Sequence, residues 1–393
     1  MIPLLALALL APPTAPIEGP AHLTRTFAAL RVLEGRTAAG TVRVTHFGDS
    51  HVAADLWTGP MRAALQARFG DGGRGFVLAG RPWSSYFQQH MQGDADGDWR
   101  VDGLRGGLDD GWFGPGGCSM ASADPRAAIR LAIPPKSPAG RGAAWIELYH
   151  LRQPGGGCLE VRHGDRVLGR VSTRGPWIEA AFARFPLPPG AAPISVHPLA
   201  GGETRLFGLD LAGGNGLVYD ALGINGARIT RLLQHDPQGF TELLGHLRPA
   251  LVVLSYGTNE LFDRDLDLAA YEADLDRAIQ RVRAAAPAAD CLITGPPDFA
   301  RQGAPIDHVT AIQRALAEAH GCAFWDARAA MGGPGSIHAW RRAGRAQADR
   351  VHLTRDGYRA LGELMVEALL AAYDQAIDTG AIPAAPGAEI LPR

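Results

Sequence analysis

Lysine is almost absent from the sequence. Among 393 residues only Lys136 is a lysine, and it lies in the proline-rich stretch 134–138. Phosphate-binding P-loops, pyridoxal Schiff bases and lysine general bases each need a lysine in a fitting strand, helix or turn. The sequence therefore argues against these three kinds of chemistry.

The chain also lacks a strong charge of either sign and a long apolar run. It carries 38 basic and 40 acidic residues, a net charge of −2, so we expect no nucleic-acid partner. The apolar run Ile2–Pro12 is too short to span a membrane. It is typical of a secretory signal peptide, although no basic residue precedes it. We predict a signal peptide over residues 1–20 and export to the periplasm or the exterior; a misassigned start or a loose tail is the alternative.

Cysteine is scarce, and its spacing fits no metal motif. The sequence has four cysteines and no CxxC pair, so no zinc site is expected. Cys291 and Cys322 lie in apolar, strand-like runs, and we predict that both are packed thiols of the core. Cys118 and Cys158 are the pair that could bond in an exported protein, but the sequence leaves this open.

Two segments show the alternation of strands and helices that is typical of a doubly wound α/β domain with a parallel sheet. The first has a strand at Thr41–Phe47 and a helix at Val52–Phe69. The predicted strands of the second are Leu217–Leu222, Ala250–Tyr256, Cys291–Thr294 and Cys322–Trp325. Its predicted helices are Ala227–Leu233, Phe240–Leu247, Leu268–Ala285, Ile306–Ala319 and Asp356–Tyr373.

The middle of the chain has a different pattern. Between about residues 91 and 214 the helical period disappears, and short apolar runs alternate with Gly, Pro and Asp. This pattern predicts a β-sandwich or jelly roll. We therefore divide the chain into a discontinuous α/β domain (21–90 and 215–376), an inserted β-sandwich (91–214) and a flexible tail (377–393).

A serine follows the first predicted strand, in Gly48-Asp49-Ser50-His51. Ligands of open α/β sheets bind outside the carboxyl ends of the strands. The helix that begins there offers backbone N–H groups to an oxyanion, so Ser50 is a candidate nucleophile. Alone, the motif is equally consistent with a helix N-cap.

Two further motifs follow later strands. Gly257-Thr258-Asn259-Glu260 comes after the strand ending at Tyr256, and the Asn259 amide is a candidate oxyanion donor. In Asp349-Arg350-Val351-His352 the carboxylate can reach Nδ1 of His352 if the loop curls, which leaves Nε2 free to accept a serine proton. Each motif alone could be an ordinary turn or surface loop. Together they supply a nucleophile, an oxyanion donor, a base and its orienter.

On these motifs the chain resembles the SGNH (GDSL-like) hydrolases, whose four blocks centre on Ser, Gly, Asn and His. The resemblance covers about residues 40–90 and 215–376. It implies a flavodoxin-like sheet, a triad of Ser50, Asp349 and His352, and an oxyanion hole of Ser50, Gly226 and Asn259. No cofactor or metal is implied.

The long insertion and Glu260, where an aspartate is more usual, resemble the branch of peptidoglycan O-acetylesterases and related exported carbohydrate esterases. The stretches GDSHVAADLWTG, FGDGGRGF, VYDALGINGA and GTNELFD carry this likeness. It implies deacylation of an O-acylated polysaccharide or peptidoglycan, with Asp49, His51 and Glu260 lining the site. A lipase or thioesterase with the same triad and a non-catalytic carbohydrate-binding protein are the alternatives.

Overall fold

The computed structural model describes residues 15–36, 39–103, 107–190, 192–301 and 304–382. Its strands are β1 Thr41–Gly48, β2 Gly73–Leu78, β3 Gln92–Asp96, β4 Arg100–Gly103, β5 Cys118–Ser122, β6 Ala128–Ala132, β7 Trp145–Arg152, β8 Cys158–His163, β9 Arg166–Ser172, β10 Glu179–Pro186, β11 Ile194–Leu199, β12 Thr204–Ala212, β13 Gly216–Gly223, β14 Leu251–Ser255, β15 Asp290–Thr294 and β16 Ala323–Trp325. Its α-helices are α1 Thr24–Glu34, α2 Ser50–Ala53, α3 Thr58–Phe69, α4 Pro237–Leu247, α5 Leu268–Ala285, α6 Ile306–Ala319, α7 Ala327–Ala330, α8 Ser336–Arg342 and α9 Arg355–Asp378.

A parallel sheet of strand order β13-β1-β14-β15-β16 forms the centre of the α/β part. In its register Gly48, at the end of β1, lies beside Gly223 of β13 and Ser255 of β14. The loops that follow these three strands therefore meet at one edge of the sheet. This confirms the predicted doubly wound fold, and it gathers Ser50, Gly226 and Asn259 at one place.

The insertion forms two antiparallel sheets. One has the order β10-β7-β12-β5-β4 and the other β3-β6-β11-β8-β9, with apolar side chains packed between them. Strand β2, from the sequence before the insertion, pairs with β12 and so extends the first of these sheets. The α/β part and the insertion are thus joined by strand β2 as well as by the chain connections between them.

Several helix bounds differ from the sequence prediction. The helix expected over Val52–Phe69 is two helices, α2 and α3, because Asp55 adopts a left-handed conformation with φ of 52° between them. The segment Ala227–Leu233 forms only a short 3₁₀ turn at Ile229–Leu233. Helix α9 runs to Asp378, and Ile382 is buried, so the first residues of the predicted tail pack on the fold.

The prediction for the cysteines is wrong. Cys291 and Cys322 form a disulfide, whereas Cys118 and Cys158 are both free. Cys291 lies at the start of β15 and Cys322 immediately before β16, and these strands are parallel neighbours. Their adjacency in the sheet, which the sequence spacing does not reveal, brings the two sulfurs together.

Part of the predicted signal peptide is outside the described residues, which begin at residue 15. The backbone of Glu18 exchanges two hydrogen bonds with Phe324 of β16, and Ile17 is buried. Residues 15–20 are therefore packed against the α/β part. Among the described residues there is no helix of the length and apolar character that crossing a membrane requires.

Candidate active site

Ser50 is the first residue of α2, immediately beyond β1. Gly48 makes this sharp exit possible, because a Cβ atom there would lie 2.5 Å from Val52 Cγ2 and 2.9 Å from the Ser255 carbonyl oxygen. The Asp49 carboxylate accepts a hydrogen bond from the His51 backbone N–H at 2.9 Å and caps the helix. Asp49 is therefore the N-cap that the sequence motif allowed, and this cap holds the Ser50 hydroxyl at the edge of the sheet.

A continuous chain of hydrogen bonds joins Ser50, His352 and Asp349. Ser50 Oγ lies 3.0 Å from His352 Nε2, and His352 Nδ1 lies 2.8 Å from Asp349 Oδ2. An ionised carboxylate only accepts, so the proton of the second contact belongs on Nδ1. Nε2 is then the acceptor for the serine proton, which is the arrangement of a serine hydrolase.

The loop that carries the base curls as the sequence predicted. Asp349 Oδ1 accepts the backbone N–H groups of Val351 and His352, each at 3.0 Å, and Arg350 takes a left-handed φ of 55°. Partial burial alone would raise the pKa of Asp349, but the two N–H groups and the His352 ring outweigh it and hold that pKa below its ordinary value. The carboxylate is thus ionised and fixed beside the ring.

The backbone N–H groups of Ser50 and Gly226 have no hydrogen-bond partner among the described residues. Gly226 adopts a left-handed φ of 75°, and the loop that carries it is held to β1 by a hydrogen bond from Ile224 N–H to the Gly48 carbonyl at 3.0 Å. Unpaired donors beside a nucleophile are what an oxyanion hole requires.

The Asn259 side chain lies on the same edge. Its Nδ2 donates to the Ala227 carbonyl at 2.8 Å and makes a long contact of 3.4 Å with Asp49 Oδ2. The first bond is short and fixes the amide plane. The second is long and weak, so this N–H remains available to an oxyanion at little cost.

Asp49 is almost fully buried beneath these donors. Burial, with a smaller contribution from the Glu260 carboxylate, raises its pKa to about 7, although the His51 N–H opposes the shift. At neutral pH the group is therefore close to its titration midpoint. It lies under the site and does not line its open face.

Glu260 is buried as well, with 4% of its surface exposed. Its carboxylate accepts the backbone N–H of Ile229 at 2.8 Å and that of Gly257 at 3.2 Å. Burial raises its pKa, and these N–H groups partly oppose the rise. Glu260 therefore joins the Gly226 loop to the Asn259 loop from below, a positioning role that differs from the lining role suggested by the sequence.

His51 supports the catalytic base from the side. Its ring centroid lies 5.6 Å from that of His352, and its Nδ1 is 2.9 Å from the Tyr358 hydroxyl. Burial lowers the pKa of His51 to about 3, so the ring is neutral. No role was assigned to Tyr358 from the sequence. Its position next to Gly357, shortly after the motif that ends at His352, was the pattern that could have pointed to it.

The hydrogen-bonded Ser50, His352 and Asp349 at the edge of the parallel sheet have the arrangement found in hydrolases with a serine nucleophile. Residues 198–360 match the model of the GDSL-like Lipase/Acylhydrolase family. This match, over 163 of the 393 residues, indicates a carboxylic ester hydrolase. The matched range contains Gly226, Asn259, Asp349 and His352. Ser50 lies before it, just beyond the end of β1, the strand between β13 and β14.

The chain is similar to solved structures of esterases. A peptidoglycan O-acetylesterase is 24% identical with a TM-score of 0.75, and the alignment covers 91% of this chain and 97% of that one. A family two carbohydrate esterase from Cellvibrio japonicus is 11% identical with a TM-score of 0.32, over 76% of this chain and 98% of that one. The first likeness confirms the fold, including the β-rich insertion. No curated protein sequence matches the chain.

Proposed function

We propose that this protein is a serine esterase that removes acyl groups, chiefly O-acetyl groups, from a cell-wall or exported polysaccharide. The observation that carries the proposal is the unbroken Asp349–His352–Ser50 hydrogen-bonded chain at the carboxyl edge of the sheet. The polysaccharide substrate is supported by the similarity in fold to a peptidoglycan O-acetylesterase.

In the proposed mechanism His352 Nε2 takes the proton of Ser50 as its Oγ attacks the ester carbonyl carbon. Asp349 keeps the Nδ1–H tautomer and stabilises the imidazolium that forms. The carbonyl oxygen becomes an oxyanion, held by the N–H groups of Ser50 and Gly226 and by the Asn259 amide. Donors that are already oriented need no rearrangement when this charge develops.

Collapse of the tetrahedral intermediate expels the sugar alkoxide, which takes the proton from His352. The acyl group is then an ester of Ser50. A water molecule gives its proton to His352 and attacks the acyl carbon, and collapse of the second intermediate returns the proton to Ser50 and releases the carboxylic acid. The two half-reactions use the same oxyanion donors.

The disulfide between Cys291 and Cys322 supports export. Disulfides persist in oxidising compartments and are rare in the reducing cytosol. Both cysteines are nearly fully buried, at 3% and 2% exposed, so the bond belongs to the folded core. We therefore propose that the protein works in the periplasm or outside the cell.

The substrate class is tested by measuring acetate release from O-acetylated peptidoglycan and from O-acetylated xylan, beside hydrolysis of p-nitrophenyl acetate, butyrate and octanoate. We expect acetate release from at least one polymer, and p-nitrophenyl acetate to be preferred over octanoate. A preference for octanoate without release from either polymer would overturn the polysaccharide assignment in favour of a lipase.

A further inference from the structure

A cavity of about 680 Å³ lies between the first sheet of the insertion and the amino-terminal edge of the parallel sheet. It is lined by the start of β1, by β7 and by β12. Arg43 at this end of β1 and Ser50 beyond its other end are seven residues apart, which is roughly 20 Å along a strand. The cavity is thus separate from the active site, and its volume is within the range of small-ligand sites.

Two buried polar groups at the floor of this cavity lack hydrogen-bond partners among the described residues. Asp210 is 1% exposed; its Oδ2 accepts from Arg43 at 2.6 Å, but its Oδ1 has no partner. Tyr149 is also 1% exposed and lines the same cavity, and none of the hydrogen bonds among the described residues involves its hydroxyl, so this donor is available there. The buried Asp210 Oδ1 without a partner is costly unless a group in the cavity donates to it.

The charges around the cavity are mostly positive. Four arginines line it, at positions 25, 43, 184 and 248, against the carboxylates of Glu147 and Asp210. Asp220, behind the wall, pairs with Arg43 at 2.7 Å, and Glu147 pairs with Arg184 at 3.2 Å. The side chain of Arg25, which is exposed, donates to the carbonyls of residues 287 and 288 at 3.3 and 3.5 Å, and the charge of the Asp290 carboxylate also acts on it. Arg25 forms no salt bridge among the described residues, so it is the cation that an anion at the mouth can reach.

We propose that this cavity binds a saccharide unit that carries a carboxylate. A sugar hydroxyl both accepts and donates, so one hydroxyl satisfies Tyr149 and Asp210 together. The C–H surface of the ring fits the apolar part of the wall, which includes Ala28, Val42 and Ala212. The ligand's carboxylate meets Arg25 at the mouth in a charge-assisted hydrogen bond. The protein would then hold an acidic glycan at a point remote from the ester it cleaves.

The test is calorimetric titration of the full chain carrying Ser50→Ala with D-glucuronate, with D-glucose and acetate as comparison ligands. We expect glucuronate to bind more tightly than either comparison ligand. Tyr149→Phe removes only the hydroxyl and is expected to weaken glucuronate binding roughly two- to tenfold, the effect of one lost hydrogen bond. Arg25→Ala is expected to weaken it about tenfold, with little effect on glucose.

Two variants provide matched controls. Tyr373→Phe removes a hydroxyl that donates to Glu34 on another face, and Arg277→Ala removes an exposed arginine of α5. Neither is expected to change binding. Absence of glucuronate binding, equal binding of glucose, or equal effects of control and test variants would overturn the proposal.

These outcomes are independent of the esterase proposal. Tyr149 and Arg25 are outside the triad and the oxyanion hole, so their variants are expected to hydrolyse p-nitrophenyl acetate at the wild-type rate. Failure of the esterase proposal would instead appear as p-nitrophenyl acetate hydrolysis that survives Ser50→Ala, whatever the titration shows.

Discussion

The substitution Asp349→Asn tests whether the carboxylate sets the tautomer of the catalytic base. Asparagine has nearly the same shape, so its oxygen can keep the N–H bonds of Val351 and His352. Its NH₂ group would then face Nδ1 of His352, which favours the tautomer with the proton on Nε2, toward Ser50. A base that already carries a proton on Nε2 cannot accept that of the serine.

The size of the effect follows from the exposure of the carboxylate. In a buried triad this change costs about ten-thousandfold in kcat. Here the Asp349 side chain is 44% exposed, so water shares its role and the effect is smaller. We expect kcat for p-nitrophenyl acetate to fall roughly a hundred- to a thousandfold, which corresponds to about 2.7–4 kcal/mol of transition-state stabilisation.

A comparison with Asp349→Ala separates tautomer control from simple loss of charge. Alanine leaves room for water to accept from Nδ1, so we expect Asp349→Ala to retain more activity than Asp349→Asn. Asp356→Asn, in the first turn of α9, is the matched control and is expected to be neutral. The assay is steady-state hydrolysis, with circular dichroism melts to verify folding. If Asp349→Asn kept more than about a tenth of wild-type kcat, the assigned role would be wrong.

Three further predictions concern the donors, the buried acid and the disulfide. Asn259→Ala is expected to lower kcat roughly a hundred- to a thousandfold with little change in KM, because it removes an oxyanion donor; an unchanged kcat in steady-state assays would contradict this. The pKa of Asp49 rises from 3.8 to about 7 on folding, so the folded state holds this proton more tightly and the contribution of this group to wild-type stability falls as pH rises between about 4 and 7. Asp49→Asn should remove that fall. In urea unfolding, the stability of the variant relative to the wild type should therefore rise with pH by up to about 1.4 kcal/mol per pH unit in this window. A stability difference that does not change with pH would refute the pKa shift. The double variant Cys291→Ser, Cys322→Ser opens a loop of 31 residues and is expected to lower the free energy of unfolding by roughly 3–4 kcal/mol. Cys118→Ser, which breaks no disulfide, is the control. Equal urea midpoints for the wild type and the double variant would contradict this prediction.

Much of the α/β architecture was predictable because parallel strands leave a simple signal. A continuous apolar run such as Ala250–Tyr256 indicates a strand covered on both faces. Helix α6 begins at Ile306 and ends at Ala319 as predicted, since its apolar residues keep one face. Polar motifs that follow such strands converge at one edge. For this reason Ser50 and Asn259 could be placed together from the sequence, whereas Gly226 was implied by the resemblance to SGNH hydrolases.

Other features depend on neighbours that are distant in sequence. The Cys291–Cys322 bond follows from the pairing of β15 with β16, and the pairing of β2 with β12 follows from how the insertion folds back. The resemblance implied that Glu260 lines the site. Its inward orientation depends on the N–H group of Ile229, a contact that no local pattern encodes.

The most direct test of the central claim is whether Ser50 is the nucleophile. The purified protein would be treated with a fluorophosphonate and digested, and the modified residue would be identified by mass spectrometry. In parallel, kcat/KM for p-nitrophenyl acetate would be measured for the wild type, Ser50→Ala and the control Ser85→Ala. We expect the phosphonate on Ser50 alone, loss of turnover in Ser50→Ala, and normal turnover in Ser85→Ala. Labelling of another residue, or turnover that survives Ser50→Ala, would contradict the account.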